Sequence, residues 1–480
     1  MMSESEYKEL LDKIFVRFPS VQSSGFGASS YKPGLEHMTE FLDVLGNPHR
    51  AYKTVHVAGT NGKGSVCNML ASALAATGLK TGLYTSPHIL DFRERMRILE
   101  DKESLFRHAR LDRASHPCHF DRSGEIYKLV PKEYVFNFLK QWGSEFERLN
   151  LSFFEITTGM AFKWFADAGV DVAVIEVGLG GRLDSTNVIT PELSIITSIG
   201  LDHCDLLGDT LEAIAGEKAG IIKPGVPVVI GEYRPETAPV FIAKATENNA
   251  PIYFADPKVR EPSVPAIELD LKGEYQEANL RTVLTALSIM EMPDQVGHDV
   301  ILAVGHDVIN DAIAHTAVRA GFGGRWEHLS EQPLVICDIG HNAHALKHNF
   351  GQLESMMASG EYDCLIIVYA VMADKDLDAI LPLMPQKAHY IFTTPKGKRA
   401  LPAARIKERF LHFGDKASEC ALKAIGHNFW PERHTLMPLA IDDVQSAVKE
   451  ALQESSAYKK PIIYIGGSTF AVAEAKPLFR

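Results

Sequence analysis

The stretch from Thr54 to Ser65 constrains the fold of this chain more than any other. A short, largely apolar run, Val55 to Ala58, leads into Gly59-Thr60-Asn61-Gly62-Lys63-Gly64-Ser65, and apolar residues at helical spacing continue to about Gly78. This order predicts a buried strand that turns through glycines into a helix. The N–H groups of such a turn and the helix N-terminus attract phosphate, and Lys63 adds a full positive charge.

The spacing of this loop differs from the standard phosphate-binding pattern G-x-x-x-x-G-K-[ST]. Val57 stands where that pattern has its first glycine, and Gly64 separates Lys63 from Ser65. An ordinary glycine-rich turn is the alternative interpretation. A lysine inside the turn and a serine at the helix start favour binding of a nucleoside triphosphate.

The length and charge of the chain limit its architecture and partners. A chain of 480 residues exceeds one comfortable hydrophobic core, so two or more domains are expected. Its content of 46% hydrophobic and 23% charged residues is typical of a globular protein. The net charge of 49 − 61 = −12 argues against non-specific binding of nucleic acid.

The cysteines and the N-terminal segment predict a cytoplasmic location. The six cysteines include no C-x-x-C pair, which fits reduced thiols better than disulfides or a zinc site. Residues 1–18 mix charged and apolar side chains and lack the apolar core of a signal peptide. No apolar run approaches the roughly 20 residues needed to span a bilayer, so no membrane partner is expected.

Three further strand ends carry polar side chains that suit a metal ion. Ser86 follows the strand Thr81 to Tyr84, Glu176 closes the apolar run Val170 to Val177, and His203 follows the strand Leu193 to Ile199. Strands joined through helices are parallel, and ligands bind at their carboxyl ends. A hydroxyl, a carboxylate and an imidazole predict a magnesium site, with manganese as the alternative because imidazole is an unusual magnesium ligand.

Each of these residues also has an interpretation without a ligand. A buried ion pair accounts for Glu176, and a hydrogen-bonded histidine at a helix start accounts for His203. For Lys218, spacing alone favours a solvated lysine at a helix end.

The pattern of strands and helices restarts after a glycine-rich connector, Gly321 to Arg325. Short apolar strands then alternate with helices, which predicts a second, smaller doubly wound domain. The predicted α/β fold therefore has a large ATP-binding domain over 1–320 with a mainly parallel sheet, and a Rossmann-like C-terminal domain over 325–480. Residues 100–125 are polar and lack a clear period, which predicts a surface insertion.

Together these residues resemble a known family. Val57 to Ser65, followed by Ser86-Pro87-His88, is similar to folylpolyglutamate synthase and dihydrofolate synthase of the Mur-ligase superfamily. Supporting stretches in the same order are Phe153-Phe154-Glu155, Glu176 to Asn187, Leu201-Asp202-His203, Glu217 to Gly220, Gly324 to Glu327 and His341-Asn342.

The resemblance implies a Mur-ligase-like fold and an ATP-dependent amide ligase. ATP would phosphorylate a carboxylate of dihydropteroate or of a reduced folate, and the amine of L-glutamate would attack the acyl phosphate. The products would be an amide, ADP and phosphate. Single enzymes of this family often carry both activities, and we expect both here, in a monomer.

The resemblance also implies roles for individual residues. Thr60 to Ser65 would bind the triphosphate, with Lys63, His203 and Lys218 catalytic, and Lys218 would be carbamylated and anchor the metal. Ser86, Glu176 and His203 would hold magnesium. Asn279, Arg325 and Asp338 would hold the nucleotide, and His341 and Ser468 the glutamate. The pterin side would comprise Ser152, Phe153, Phe154, Glu155, Leu183, Asp184, Ser185 and Tyr31 to Pro33.

Two other functions are alternatives to this ligase. A Mur-type acid–amino-acid ligase for a UDP-linked cell-wall precursor normally has a UDP-binding domain ahead of the phosphate loop, whereas this loop begins at Gly59. A nucleotide-binding regulatory module would not need Glu176, His203 or Lys218. Production of ADP that depends on glutamate separates that module from a ligase.

Overall fold

The computed structural model describes residues 2–25, 32–101, 126–255, 267–291, 304–425 and 437–479. The chain divides into two compact units, Met1–Leu271 with Tyr275–Phe322, and Lys272–Glu274 with Gly323–Arg480. Tyr31 and nearly all of the predicted insertion at 100–125 lie outside the described residues. No helix in the described ranges is both long and apolar enough to cross a membrane.

The first unit is built on an eight-stranded sheet in the order β4-β3-β2-β5-β1-β6-β7-β8. The six strands from β2 to β8 in this order run parallel, which confirms the predicted parallel sheet. β3 and β4 extend it as antiparallel edge strands, which the sequence analysis did not predict. The strands are β1 Lys53–Ala58, β2 Thr81–Tyr84, β3 Met96–Leu99, β4 Tyr127–Leu129, β5 Val172–Glu176, β6 Leu193–Ile196, β7 Val228–Ile230 and β8 Ile252–Phe254.

Helices cover both faces of this sheet, so its central strands are apolar on both sides. The helices are α1 Glu4–Arg17, α2 Val21–Ser24, α3 Glu36–Val44, α4 Lys63–Ala76, α5 Lys132–Arg148, α6 Phe153–Ala168, α7 Cys204–Leu207, α8 Leu211–Ala219, α9 Ala238–Glu247, α10 Gln276–Met290, α11 His306–Ala314 and α12 Thr316–Ala320. Helix α4 is buried along nearly its whole length, because α10, α11 and α12 pack over it on the side away from the sheet.

The second unit contains a six-stranded sheet in the order β13-β12-β11-β14-β10-β9, which confirms the predicted second α/β fold unit. Only β9 is antiparallel to its neighbour within this sheet. The strands are β9 Glu327–Glu331, β10 Leu334–Asp338, β11 Cys364–Tyr369, β12 His389–Thr393, β13 Leu439–Ile441 and β14 Pro461–Gly466. The helices are α13 Ala343–Ala358, α14 Leu377–Ile380, α15 Ala403–Ile425, α16 Val444–Ser455 and α17 Thr469–Ala475.

Two element boundaries near the predicted site differ from the sequence prediction. The sequence predicts a helix over Ile156 to Ala168. Helix α6 instead begins at Phe153, because the Ser152 hydroxyl accepts the N–H of Glu155 and caps the helix there. Strand β6 ends at Ile196 and not at Ile199. The residues that follow β6 form contacts with the loop after β1.

Candidate functional site

The loop at Gly59 to Gly62 joins β1 to α4, as the sequence predicts. Helix α4 begins at Lys63 and Gly62 precedes it with φ +86°, a backbone conformation that favours glycine. Gly59 has φ +149°, and a Cβ at this position would lie 1.9 Å from Thr197 Oγ1. Gly64 and Ser65 form the first turn of α4 and are buried. Gly59 and Gly62 have no side chains, so neither covers the N-terminus of this fourteen-residue helix.

Three residues after β6 hold this loop. Thr60 N–H donates to Ser198 O at 2.7 Å, and Thr60 Oγ1 lies 3.1 Å from both the carbonyl oxygen and the N–H nitrogen of Gly200. The Asn61 carbonyl accepts from Thr197 Oγ1 at 2.6 Å and from Ser198 Oγ at 3.1 Å. No role was predicted for Thr197, Ser198 or Gly200, although polar residues directly after an apolar strand are the signal that identified Ser86 and His203.

Two lysine side chains meet at one carbonyl oxygen of the loop. Lys63 Nζ donates to Gly59 O at 3.0 Å and to Thr60 O at 3.3 Å, and Lys218 Nζ donates to Gly59 O at 2.9 Å. Lys218 is only 4% exposed, so the interpretation as a solvated helix-end lysine is wrong. Burial, and next the positive charge of Lys63, lower the pKa of Lys218 to about 7.

Ser86 and Glu176, two of the predicted metal ligands, are in direct contact. The N–H of Ser86 donates to Glu176 Oε2 at 2.9 Å, and Glu176 is 3% exposed. Glu176 pairs with Val57 across the β1–β5 register, so it ends its strand beside the phosphate loop. Its negative charge also acts on the buried Arg95 and Arg97 and partly offsets the fall in their pKa values that burial causes.

His203 precedes α7 in a left-handed conformation, φ +54°, which is uncommon for a residue other than glycine. Its Nε2 lies 3.8 Å from Asp202 Oδ1. His203 follows β6, which pairs with β1 on the side opposite to β5. The three predicted metal ligands therefore lie at the carboxyl ends of β2, β5 and β6, and β1 with its phosphate loop lies between β5 and β6.

The donor set fits a divalent cation that also takes ligands from its substrate. The described part of the chain contains no cluster of three or more His, Cys, Asp or Glu side chains arranged to hold a metal. A hydroxyl, one carboxylate and one imidazole leave positions for water and phosphate oxygens, which is the usual coordination of Mg²⁺ in sites that bind nucleotides.

Asn279 lies beside the phosphate loop, although more than 200 residues separate the two in sequence. A Cβ on Gly62 would stand 2.3 Å from Asn279 Oδ1. The side-chain amide of Asn279 donates to Gln276 Oε1 at 2.8 Å. Gln276 is 1% exposed, and its own Nε2 is buried without a hydrogen-bond partner. The sequence analysis did not single out Gln276, which lies one helical turn before Asn279.

The predicted pterin residues at the start of α6 have different environments. The side chains of Ser152 and Glu155 cap the helix reciprocally, with Ser152 N–H donating to Glu155 Oε2 at 2.7 Å. Phe153 is 3% exposed and packs on Phe15 and Phe92, with the Arg95 guanidinium 5.4 Å from the centre of its ring.

Phe154 is the aromatic residue of this pair that keeps an exposed surface. Its ring lies 5.9 Å from that of Tyr84 and against Gly178, where a Cβ would approach it to 2.5 Å. Of the two predicted phenylalanines, Phe154 therefore has the better access to a ligand.

Residues 178–187, here termed the Asp184 loop, follow Glu176 closely. Asp184 is 6% exposed, and its carboxylate accepts the N–H groups of Leu179 at 2.8 Å and Thr186 at 3.0 Å. Burial raises the pKa of Asp184, and these hydrogen bonds oppose the rise. Ser185 is buried and Leu183 half-buried. The buried Asp184 carboxylate thus stabilises the conformation of its own loop by accepting hydrogen bonds from the loop backbone.

The candidates in the second unit lie at the carboxyl ends of β10 and β14, which are adjacent and parallel. Asp338 is 2% exposed and accepts from Trp326 N, Gly340 N and Asn349 Nδ2 at 2.7–2.8 Å. The first of these bonds ties the turn that contains Arg325 to the end of β10. His341 follows β10, and Ser468 caps α17 after β14.

Gly59→Ala tests the need for a bare backbone in the loop. We expect the affinity for ATP to fall at least ~10-fold, because the added Cβ collides with Thr197 and the positive φ adds strain of about 1–3 kcal/mol. Isothermal titration calorimetry measures the affinity. The matched control is Gly143→Ala inside α5, where the added Cβ meets open space and helix propensity predicts about 0.5–1 kcal/mol of stabilisation. Equal affinities in the two variants would contradict the expected role of Gly59.

Comparison with known proteins identifies similar sequences and structures. The family model of the Mur ligase glutamate ligase domain matches residues 324–468. The dihydrofolate synthase/folylpolyglutamate synthase of Mycobacterium tuberculosis is 32% identical over 483 residues, which cover 93% of this chain and 90% of that protein.

Two solved structures resemble more than nine-tenths of the chain. Escherichia coli FolC in complex with DHPP and ADP gives a TM-score of 0.73 at 25% identity, covering 97% of this chain and 96% of FolC. A bifunctional folylpolyglutamate synthase/dihydrofolate synthase with Mn, AMPPNP and L-glutamate bound gives a TM-score of 0.69 at 27% identity, covering 92% of this chain and 93% of that one.

Proposed function

The chain belongs to the dihydrofolate synthase/folylpolyglutamate synthase family, and we propose that it joins L-glutamate to dihydropteroate and to reduced folates. It is an ADP-forming ligase that uses ATP and a divalent metal. The observation that carries the assignment is the meeting of Lys63 and Lys218 at Gly59 O, beside the paired Ser86 and Glu176. A module that only binds nucleotide has no need of a buried lysine in addition to Lys63, nor of a buried carboxylate.

The first step transfers the γ-phosphoryl group of ATP to the acceptor carboxylate. The bond from the γ-phosphorus to the bridging oxygen breaks, ADP leaves, and a carboxylate oxygen bonds to phosphorus. Such a transfer needs alignment and positive charge rather than covalent catalysis. Loop N–H groups and the N-terminus of α4 supply partial positive charge, and Lys63 supplies a full one. Its ammonium group is held on neutral carbonyls, which are weaker partners than phosphate oxygens.

The second step forms the amide. The neutral amine of L-glutamate attacks the acyl carbon, phosphate leaves with the former carboxylate oxygen, and the amine proton passes to solvent. Because water hydrolyses an acyl phosphate, the site has to exclude water from the phosphorylated acceptor until the amine attacks. The partly exposed Phe154 and the Asp184 loop are the proposed pterin-side walls, with Leu183 and Ser185 as contact residues.

Ser86, Glu176 and His203 are the residues proposed to hold Mg²⁺ or Mn²⁺. The bound metal supplies positive charge to the phosphate oxygens. Lys218 is proposed to be carbamylated, and support comes from its lowered pKa: at pH 7 about half of its amine is neutral, the form that adds CO₂.

The remaining site assignments are also proposals. Asn279 and Arg325 are assigned to the nucleotide together with Asp338, whose carboxylate is already committed to three donors of its own unit. His341 and Ser468 are assigned to L-glutamate, which a structural relative binds. We further propose that residues 1–320 form a domain that binds ATP and the pterin, and that residues 325–480 form a second domain. We also propose that the protein is a monomer and acts in the cytoplasm.

The direct test is ADP production by the purified protein, with dihydropteroate and tetrahydrofolate assayed in parallel. We expect turnover with each acceptor, and we expect it to require both the acceptor and L-glutamate. ADP release that is independent of both would point to a nucleotide-binding module, and turnover only with a UDP-linked acid to another Mur-type ligase.

Removing divalent metal should stop the reaction. We expect EDTA dialysis to lower ligation at least ~100-fold, because the phosphate oxygens lose their strongest positive charge. Addition of Mg²⁺ or Mn²⁺ should restore it. Circular dichroism before and after dialysis controls for unfolding, and full activity in the chelated protein would contradict the metal site.

A further inference from the structure

A buried chain of three polar side chains connects β1 to the Asp184 loop. Asp184 Oδ1 lies 2.5 Å from Thr186 Oγ1, and Thr186 Oγ1 lies 2.8 Å from His56 Nε2. His56 and Thr186 are completely buried, and Asp184 nearly so. None of the functional assignments above uses His56, which sits on β1 three residues before Gly59.

The direction of the protons in this chain follows from the chemistry of its members. An ionised Asp184 only accepts, so the single hydroxyl proton of Thr186 goes to the carboxylate. Thr186 Oγ1 then accepts from His56, which fixes the proton of the neutral imidazole on Nε2. Nδ1 is left as a bare lone pair, in agreement with its buried position without a hydrogen-bond partner. Burial, with the nearby charge of Lys223, lowers the pKa of His56 to about 3 and keeps the ring neutral.

The Asp184 loop is tied in turn to the residues around Lys218. Arg182 N–H donates to Glu217 O at 2.8 Å, and the Asn187 side chain donates to Arg182 O at 3.0 Å and to Gly220 O at 3.1 Å. A Cβ on Gly181 would lie 2.8 Å from Glu217 O, so the two backbones are in close contact. A shift of this loop therefore moves the backbone that carries Lys218 as well as the proposed pterin wall.

We propose that His56 is a positioning residue of the ligase site, which fixes the Asp184 loop against β1 by donating a hydrogen bond from Nε2 to the Thr186 hydroxyl. The inference rests on the proposed function, because its consequence is the placement of the pterin acceptor and of Lys218. The phosphate loop is held separately, by Thr197 and Ser198. We therefore expect the bond from His56 to affect the acceptor and Lys218 more strongly than it affects nucleotide binding.

Thr186→Val and Thr186→Ser form a matched pair of variants. Valine keeps the shape and loses the hydroxyl, whereas serine keeps the hydroxyl. We expect Thr186→Val to lower kcat/KM for dihydropteroate about 10- to 100-fold, on the scale of a small misplacement of reactants, and to change the affinity for ADP much less. Thr186→Ser should retain kcat/KM near that of the parent protein. All assays are run well below the melting temperature of each variant, with the folded fraction measured.

Nitrogen-15 NMR of protein labelled at histidine gives a readout that stability alone does not move. We expect His56 to carry its proton on Nε2 and to lose the hydrogen-bond shift of that nitrogen in Thr186→Val. The inference is overturned if His56 carries its proton on Nδ1, or if the valine and serine variants have equal kcat/KM for the acceptor. An inactive parent protein that still binds ADP would instead overturn the proposed function, and the NMR result would stand on its own.

Discussion

Lys63→Ala lowers the rate of ligation at least ~100-fold, with little change in the melting temperature. Lys63 carries the one full charge on the first turn of α4, and its ammonium already lies within 3.3 Å of two loop carbonyls. Removal of a positioned charge that stabilises a transition state typically costs 10²–10³ in rate, or about 2.7–4 kcal/mol. Steady-state assays with dihydropteroate, ATP and L-glutamate measure the loss.

The control for this variant is Lys13→Ala, which removes a solvent-exposed lysine of α1. Its ion pair with Glu9 is exposed, and such pairs contribute little to stability. We expect parental activity in the control. Near-normal ADP release in Lys63→Ala that still depends on acceptor and L-glutamate would refute the assignment of the loop.

Lys218→Met is expected to lower ligation at least ~100-fold as well. Methionine keeps much of the apolar chain in its buried position and removes Nζ together with its bond to Gly59 O. As an ammonium, Nζ would supply positive charge beside the phosphates, and as a carbamate it would hold the metal ion that supplies this charge, so its removal weakens the stabilisation of the transition state in either form. The matched control is Lys80→Met. Lys80 also donates to a backbone carbonyl, but it precedes β2 and so lies at the amino ends of the parallel strands, away from the phosphate loop at their carboxyl ends. Equal activity in both variants would contradict a role for Lys218.

Carbon-13 NMR in labelled bicarbonate distinguishes the two forms of Lys218. Only the neutral amine adds CO₂, and a pKa of about 7 makes about nine-tenths of it neutral at pH 8 and about one-tenth at pH 6. The carbamate signal should therefore weaken as the pH falls from 8 to 6, and it should be absent from Lys218→Met. A signal that persists in that variant would assign the carbamate to another lysine.

Much of the fold was predictable because strand, glycine turn and helix follow one another in a fixed order. β1, the phosphate loop and α4 could be placed from residues 54–78, and parallel strands then bring their carboxyl ends to one edge. The antiparallel pair β3 and β4 was not predictable in this way. β3 contains Arg97, whose side chain reaches backbone oxygens more than 200 residues away, and periodicity carries no information about such a partner.

Site residues could be predicted from the sequence where polar side chains directly follow a predicted strand. They could not be predicted where their role depends on burial in the tertiary fold. Spacing indicated a solvated Lys218, whereas the tertiary fold buries it against Gly59. The adjacent Phe153 and Phe154 are indistinguishable in sequence, yet one is core and the other keeps exposed surface. In the sequence, His56 is the one polar residue of the run Val55 to Ala58, and nothing local indicates its partner Thr186, which is 130 residues away.

The central step of the proposed reaction is the phosphorylation of the acceptor carboxylate by ATP. Dihydropteroate labelled with oxygen-18 in its carboxyl group tests this step directly, because the acyl phosphate loses one carboxylate oxygen with the departing phosphate. We expect one oxygen-18 atom in the inorganic phosphate for each amide formed, with ADP as the other product. Unlabelled phosphate, or release of AMP and pyrophosphate, would contradict it.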